Sequence, residues 1–380
     1  MNGDSAHREK HFEDYIVAQL EKRGWRVGST LHYDTERALY PDDLVAWLEA
    51  TQPEKWAKFQ KDHAGKEREA LMDRVAKALD SDGTLHVLRR GFAVAGCGHL
   101  DWSEAAPEDQ RNAGVLKSYS SNILRVVPQL KYHPSRELAI DLVFFLNGIP
   151  VATVEVKTDF TQSAAAAVDQ YKSDRLPVDP KTKRREPLLT FKRGAVVHFA
   201  VSDSDIQMAT KLDGENSVFL PFNQGHDGHA GNPPRTDGEY PVAYFWEQVC
   251  QRDAWLRIFH GFVYVEKKDV VDLQGNWSKK ETLIFPRFHQ WDAVNKMIAD
   301  AKAKGPGQQY LCEHSAGSGK TSTIAWTAHD LIKLRRNDGE AIFHGVIVVT
   351  DRTVLDGQPR LLRLCAAVSE HPGVRSWEKR

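Results

Sequence analysis

The stretch ELAIDLVFFLNGIPVATVEVKTDF constrains this chain more than any other. Two arms carrying Leu142, Val143, Phe144, Phe145, Val151, Val154 and Val156 flank Asn147-Gly148, a dipeptide suited to a tight hairpin because both residues tolerate positive φ. Arms this apolar belong to central strands covered on both faces. Three charged residues, Asp141, Glu155 and Lys157, nevertheless interrupt them, and a charge on a buried strand is costly without a partner. Glu155 and Lys157 stand two apart, so their side chains leave the same strand face. Whether Asp141 joins them depends on register. A plain two-residue turn pairs Leu146 with Ile149 and sets Asp141 opposite Val154, on the wrong face. A longer loop, or one bulge, sets Asp141 opposite Glu155.

An acid pair with an adjacent lysine suits phosphodiester cleavage. The anionic backbone must be approached by a nucleophilic water, and charge on the leaving oxygen must be stabilised. A magnesium ion held by carboxylates does both. Asp141 and Glu155 supply carboxylates, the carbonyl of Val156 is a further ligand, and Lys157 can orient or deprotonate the attacking water. The alternative is an amphipathic hairpin whose charges are merely solvated, since an acid-x-lysine triplet alone is common by chance. The apolar surroundings and the helix with Gln170 and Tyr171 that follows favour the site. Glu13 can reach the metal from the first helix, or is a solvated surface residue. Lys181, Lys183, Arg184 and Arg185 form either a phosphate-contacting run or a soluble loop.

The remaining chain reads as more than one domain. At 380 residues two or three are expected. HREKHFEDYIVAQLEKRGW places Phe12, Ile16, Val17 and Leu20 on one helical face, ended by Gly24, and PDDLVAWLEA opens a helix at Pro41. A charged helix from Glu54 to Asp80 breaks or bends near Gly65. LHVLRRGFAV and AVVHFAVS read as strands, SAAAAVDQYKSDR and VAYFWEQVCQRDAWLRIFHGF as helices. His226 and His229 lie in a turn-rich loop without a nearby acidic or cysteine partner in register, so a structured loop is expected there, not a metal site. The polar stretch 266–282 marks a boundary. The net charge of −1 gives no whole-chain attraction to DNA, so any such contact rests on local patches. Cys97, Cys250, Cys312 and Cys365 are scattered, which fits a reducing cytoplasm better than disulfides or zinc. No apolar run approaches the ~20 residues of a membrane span.

From Leu283 the pattern alternates helix, strand (QQYLCE), glycine-rich loop, helix (TSTIAWTAHDLIKLRR) and strand (GVIVVTD), the order of a parallel α/β sheet. In HSAGSGKT the small residues Gly317, Ser318 and Gly319 let backbone N–H groups wrap a phosphate at a helix N-terminus. Lys320 would neutralise the β and γ phosphates, and Thr321 would ligate a second magnesium ion. Gln290 can bond the N6/N7 edge of adenine and select ATP. His314 stands where the loop pattern usually has its first glycine. Asp351 reads as the start of a segment contacting the DNA backbone, not as the second magnesium acid that turnover requires.

These motifs, with YDTERALYPDDLVAWLEATQP, the GHAGNPP loop with YFWEQV, FPRFHQWDAV and VIVVTDRTVLDGQ, resemble the restriction (R) subunit of type I restriction–modification enzymes nearly end to end. The resemblance implies a PD-(D/E)xK endonuclease domain over residues 1–265, with a mixed sheet flanked by helices and a helical amino-terminal part. A linker over 266–282 and the first part of a RecA-like, superfamily-2 translocase over 283–380 would follow. It further implies magnesium-dependent cleavage of double-stranded DNA coupled to ATP-driven translocation, with the motor truncated in this chain and slow to turn over ATP alone. Modification and specificity subunits would be its partners. Asp141, Glu155 and Lys157 match the nuclease motif, Lys320 and Thr321 the first motor motif. Ile140 replaces the motif's proline, and Ala167 occupies the glutamine position that precedes Tyr171 in the Gln-x-x-x-Tyr motif, with Gln170 adjacent. The competing reading is a non-catalytic DNA-binding or docking module of the same complex. A third is an ATPase motor whose acidic hairpin is structural.

Overall fold

A computed structural model describes residues 2–107, 111–159, 163–271, 275–315 and 317–349. They form two compact units, Met1–Ala106 with Asn112–Leu256, and Pro107–Arg111 with Arg257–Arg380. Asp351 and Cys365 lie outside the described residues.

In the first unit a seven-stranded mixed sheet has the order β1-β4-β5-β6-β7-β8-β9. The strands are β1 (Arg26–Val27), β4 (Leu124–Lys131), β5 (Ala139–Leu146), β6 (Ile149–Val156), β7 (Val197–Val201), β8 (Ile206–Ala209) and β9 (Leu220–Pro221), while β2 (Phe92–Val94) and β3 (Gly98–Leu100) make a separate pair. The ladders β1–β4 and β6–β7 are parallel and the others antiparallel. Helices α1 (Asn2–Glu21), α2 (Pro41–Thr51), α3 (Pro53–Asp62), α4 (Glu67–Asp82), α5 (Thr84–Arg90), α6 (Ala113–Ser121) and α7 (Ala164–Ser173) belong to this unit, and α8 (Arg252–Arg257) ends at its boundary. Pro41 opens α2, Gly65 separates α3 from α4, and Gly24 follows α1 with φ 87°.

The central hairpin is closed by Asn147 (φ 49°) and Gly148 (φ 83°), both left-handed as a tight turn of this sense requires. The turn is itself buried: Asn147 donates to the Trp102 carbonyl at 2.8 Å, and its side-chain oxygen accepts from Ile123 N. A Cβ at Gly148 would stand 2.6 Å from the Tyr40 carbonyl. On one side of the sheet Phe144 packs against Trp25 and Trp255. Val143, Phe145 and Ala200 join Ala167, Val168 and Tyr171 of α7 in one apolar cluster.

Several expectations change. LHVLRRGFAV is a strand only at its end, where Phe92–Val94 forms β2: Thr84–Arg90 is helical, because Thr84, Val87 and Leu88 share a buried face and the Thr84 hydroxyl donates to the Arg193 and Gly194 carbonyls. The segment beginning VAYFWEQV is not one α-helix. Its backbone widens to i→i+5 bonding at Phe245–Val249 and again at Ile258–Phe262, around α8.

The second unit contains β10 (Tyr264–Val271) and β11 (Trp277–Ile284), with α9 (Phe288–Lys304) and α10 (Lys320–Lys333). In the polar stretch 266–282, expected as a linker, the described residues of these two strands pair as an antiparallel ribbon, and the compact units divide at Leu256/Arg257. QQYLCE and the described part of GVIVVTD are not strands, so no parallel sheet forms among the described residues of this unit. Internal parallel strands are stabilised by neighbours on both edges and layers on both faces. Among the described residues Leu311 is 94% and Ile347 90% exposed. Among the described residues no helix is long and apolar enough to cross a membrane.

Candidate functional site

Register brings the acids together. The turn is the short one, pairing Leu146 with Ile149 and Phe145 with Pro150, but Phe144 then pairs with Ala152, leaving Val151 as a bulge. Below the bulge Leu142 pairs with Val154, so Asp141 falls opposite Glu155 on one face. Asp141 Oδ2 accepts from Val156 N at 2.8 Å, which pins the carboxylate to the rim of β6.

Glu155 is fully buried. Its Oε1 accepts from Arg175 Nε at 2.5 Å, and its Oε2, also buried, meets no donor among the described residues. Burial, then the charge of Asp141, push the Glu155 carboxyl well above the usual carboxylate range, against the pull of Arg175. Lys157, two residues along and mostly buried, bonds Glu9 of α1 at 3.3 Å.

The first helix supplies a third acid. Glu13 is 3% exposed; it accepts from Gln129 Nε2 at 2.5 Å and from Lys10 at 3.1 Å. The same Gln129 amide nitrogen reaches Asp141 at 3.1 Å. Burial first, with Asp141 assisting, raises the Glu13 carboxyl. Gln129 has φ 47° in the middle of β4, an unusual conformation for a non-glycine residue that persists only where its surroundings hold it.

Gln170 and Tyr171 lie on α7. The fully buried Tyr171 bonds Thr153 Oγ1 at 2.8 Å, and Thr153 bonds His198 Nδ1 at 2.8 Å, so the phenol is engaged two residues before Glu155 on the same strand face. Burial drives Tyr171 well above its ordinary value and His198 down to about 3, keeping both neutral. Gln170 is half-buried, and Ala167 is core. Lys181 and Lys183 are exposed, while Arg184 pairs with Glu36 at 2.8 Å. His226 and His229 face each other across a turn.

Gln129 and Arg175 were not legible in advance. The only hint of Arg175 was its place one helical turn beyond Tyr171, and Gln129 gave no signal, since a residue in a strand is not read as left-handed. No group of three His, Cys, Asp or Glu side chains among the described residues is gathered tightly enough to hold a metal as it stands. The donor set nonetheless suits a hard cation: a buried carboxylate oxygen without a donor, a second carboxylate raising its neighbour, and a third acid beside them.

In the second unit, Gly317 (φ 75°) and Gly319 (φ 85°) turn the loop into α10. The Gln290 amide donates to the Ser318 and Gly319 carbonyls at 3.1 and 3.0 Å and accepts from Arg287 N, so in this conformation it braces the loop. Lys320 Nζ folds onto the His314 and Ser315 carbonyls at 2.8 and 3.1 Å. Ser318 bonds the Ser315 carbonyl, and Thr321 is half-exposed at the first turn of the helix.

The family profile of the type I restriction enzyme R protein N terminus matches residues 8–217, more than half of the chain. The chain is also 21% identical over 321 residues to the protein of Methanocaldococcus jannaschii named "Putative type I restriction enzyme MjaVIIIP endonuclease subunit". That match covers 80% of this chain and 27% of the relative's length.

Proposed function

We propose, from the premise that this chain belongs to the type I restriction enzyme R protein N-terminus family, that Asp141, Glu155 and Lys157 cleave double-stranded DNA with magnesium. The observation that carries the reading is the bulge at Val151, which puts two acids from adjacent strands on one face where a plain hairpin would separate them. Asp141, Glu155 and the Val156 carbonyl would hold the ion, with Glu13 approaching from α1. When bound, magnesium would supply charge neutralisation at the phosphate and a more acidic water.

The chain's own groups do the rest. Glu155 and Asp141, held on adjacent strands, fix the cleft to which the phosphate comes. Lys157, steered by Glu9, would hold and orient the attacking water and stabilise the charge on the phosphate. Tyr171, locked through Thr153, keeps the strand face packed beneath the acids. Gln170, half-buried on α7 beside Tyr171, would join the catalytic set. The phosphate loop of Gly317, Ser318, Gly319, Lys320 and Thr321 would bind ATP with magnesium once Lys320 leaves the loop carbonyls, and Gln290 would turn to adenine. ATP-driven translocation, and modification and specificity subunits as partners of a cytoplasmic complex, complete the proposal.

A second reading, a docking module whose nuclease centre no longer cuts, draws on the Arg175 ion pair already engaging Glu155. Glu155→Ala and Lys157→Ala in the reconstituted complex separate the two. The nuclease reading expects cleavage to fall at least ~100-fold for the loss of either a ligand or a charge-stabilising donor; unchanged cleavage would sink it and favour docking.

A further inference from the structure

We infer that Arg175 is a positioning residue that splits the Glu155 carboxylate, holding Oε1 so that Oε2 is left to the cation. The inference rests on the metal site proposed above and adds to it the residue that fixes its buried ligand. A carboxylate has two oxygens and can serve two partners. Here one is taken by Arg175 Nε at 2.5 Å, and the other is buried without a donor. Both side chains are shielded, at 7% exposure for Arg175 and 0% for Glu155.

Arg175 is in turn held in place. It follows α7 directly and its guanidinium lies 6.0 Å from the Tyr132 ring. Tyr132 is buried, and its hydroxyl donates to the carbonyl of Asp174, the residue before Arg175. A planar guanidinium with a fixed Nε–H direction constrains the carboxylate plane, which a flexible ammonium does not. The arrangement also explains why so buried an acid tolerates its site with one oxygen unsatisfied: the orphan oxygen is the ligand, and the satisfied one is the handle. Partners behind metal ligands typically alter metal affinity by roughly 10–100-fold when removed.

The test is manganese binding, followed by electron paramagnetic resonance on the full chain. Wild type should bind an ion that Glu155→Gln abolishes. Arg175→Gln should weaken that binding by roughly 10–100-fold, and Arg175→Lys, which keeps the charge but not the fixed Nε–H, by an intermediate factor. In wild type labelled at arginine Nε, the slowly exchanging Arg175 signal should persist when magnesium is added, because the guanidinium stays on Oε1. Loss of that signal on binding, or wild-type manganese affinity in both Arg175 variants, would overturn the inference. Failure of wild type to bind manganese, or binding unaffected by Glu155→Gln, would instead remove the metal site on which it rests.

Discussion

Replacing Arg175 with methionine should cost stability out of proportion to the atoms removed. The guanidinium sits 2.5 Å from a carboxylate that is fully buried. At an effective dielectric near 20, a pair at that distance attracts by about 6–7 kcal/mol. Part of this offsets the desolvation of both ions, and breaking one side of a buried pair typically costs ~3–5 kcal/mol because the other charge is left behind. Arg175→Met should therefore lower the unfolding free energy by about 3–5 kcal/mol in chelator-treated buffer at neutral pH. Arg175→Met with Glu155→Gln should recover most of the loss, since no charge is then stranded. The Glu155 carboxyl titrates above its unfolded value, so its ionisation costs stability as pH rises through the folded value, and acidification relieves that cost. The defect of Arg175→Met should accordingly shrink toward pH 5. Urea unfolding read by tryptophan fluorescence measures each variant. A single variant within about 1 kcal/mol of wild type, or a double variant no better than the single, would refute the claim that Arg175 and the buried Glu155 stabilise the fold as a pair.

His198, pushed down to about 3 by burial, is neutral in the fold and takes a proton on unfolding below its ordinary 6.5. Stability is thus present above pH 6.5 and drains as pH falls toward 3, by roughly 2 kcal/mol between pH 6.5 and 5 at about 1.4 kcal/mol per unit; His198→Gln should flatten that slope in urea titrations. Gly148→Ala should cost about 1–3 kcal/mol in the same assay, given its left-handed φ and the Tyr40 carbonyl 2.6 Å from the new Cβ; a neutral effect would mean the turn relaxes freely. Lys320→Ala should abolish binding of a fluorescent ATP analogue to the full chain, and unchanged affinity would show that the loop does not take the triphosphate.

The acidic centre was legible because its signal is local. Asn-Gly between apolar arms fixes a hairpin, and three charges in those arms demand a common purpose. The choice between two registers could be stated from sequence, but not decided. A bulge depends on how β6 meets β7, where Val151 gives its carbonyl to Val196 N while stepping out of the β5 ladder. Arg175 was invisible for a related reason. An arginine just beyond a helix reads as solvated, and only the packing of Tyr132 and the sheet turns it inward. Val87 and Leu88 in LHVLRRGF carried strand propensity, yet the Thr84 hydroxyl and a buried face at helical spacing outweighed it.

The second unit shows the opposite balance between motif and fold. HSAGSGKT specifies its own loop: two left-handed glycines and a helix start appear with no sheet beside them among the described residues, because those conformations are dictated residue by residue. QQYLCE and GVIVV specify nothing alone, since a parallel strand gains its energy from neighbours on both edges and cover on both faces. Leu311, Ile347 and Val349 are therefore exposed among the described residues. The loop is held from the other direction, by Gln290 on α9 bonding the Ser318 and Gly319 carbonyls. A bound adenine and those carbonyls would compete for the same side-chain amide. Under the proposed ATP binding, the nucleotide would release the brace on the loop as it engages the base, and Gln290→Ala should loosen the empty loop while weakening ATP. Amide exchange at Ser318 and Gly319, with and without nucleotide, reads both effects; protection unchanged by the substitution would show that the amide braces nothing.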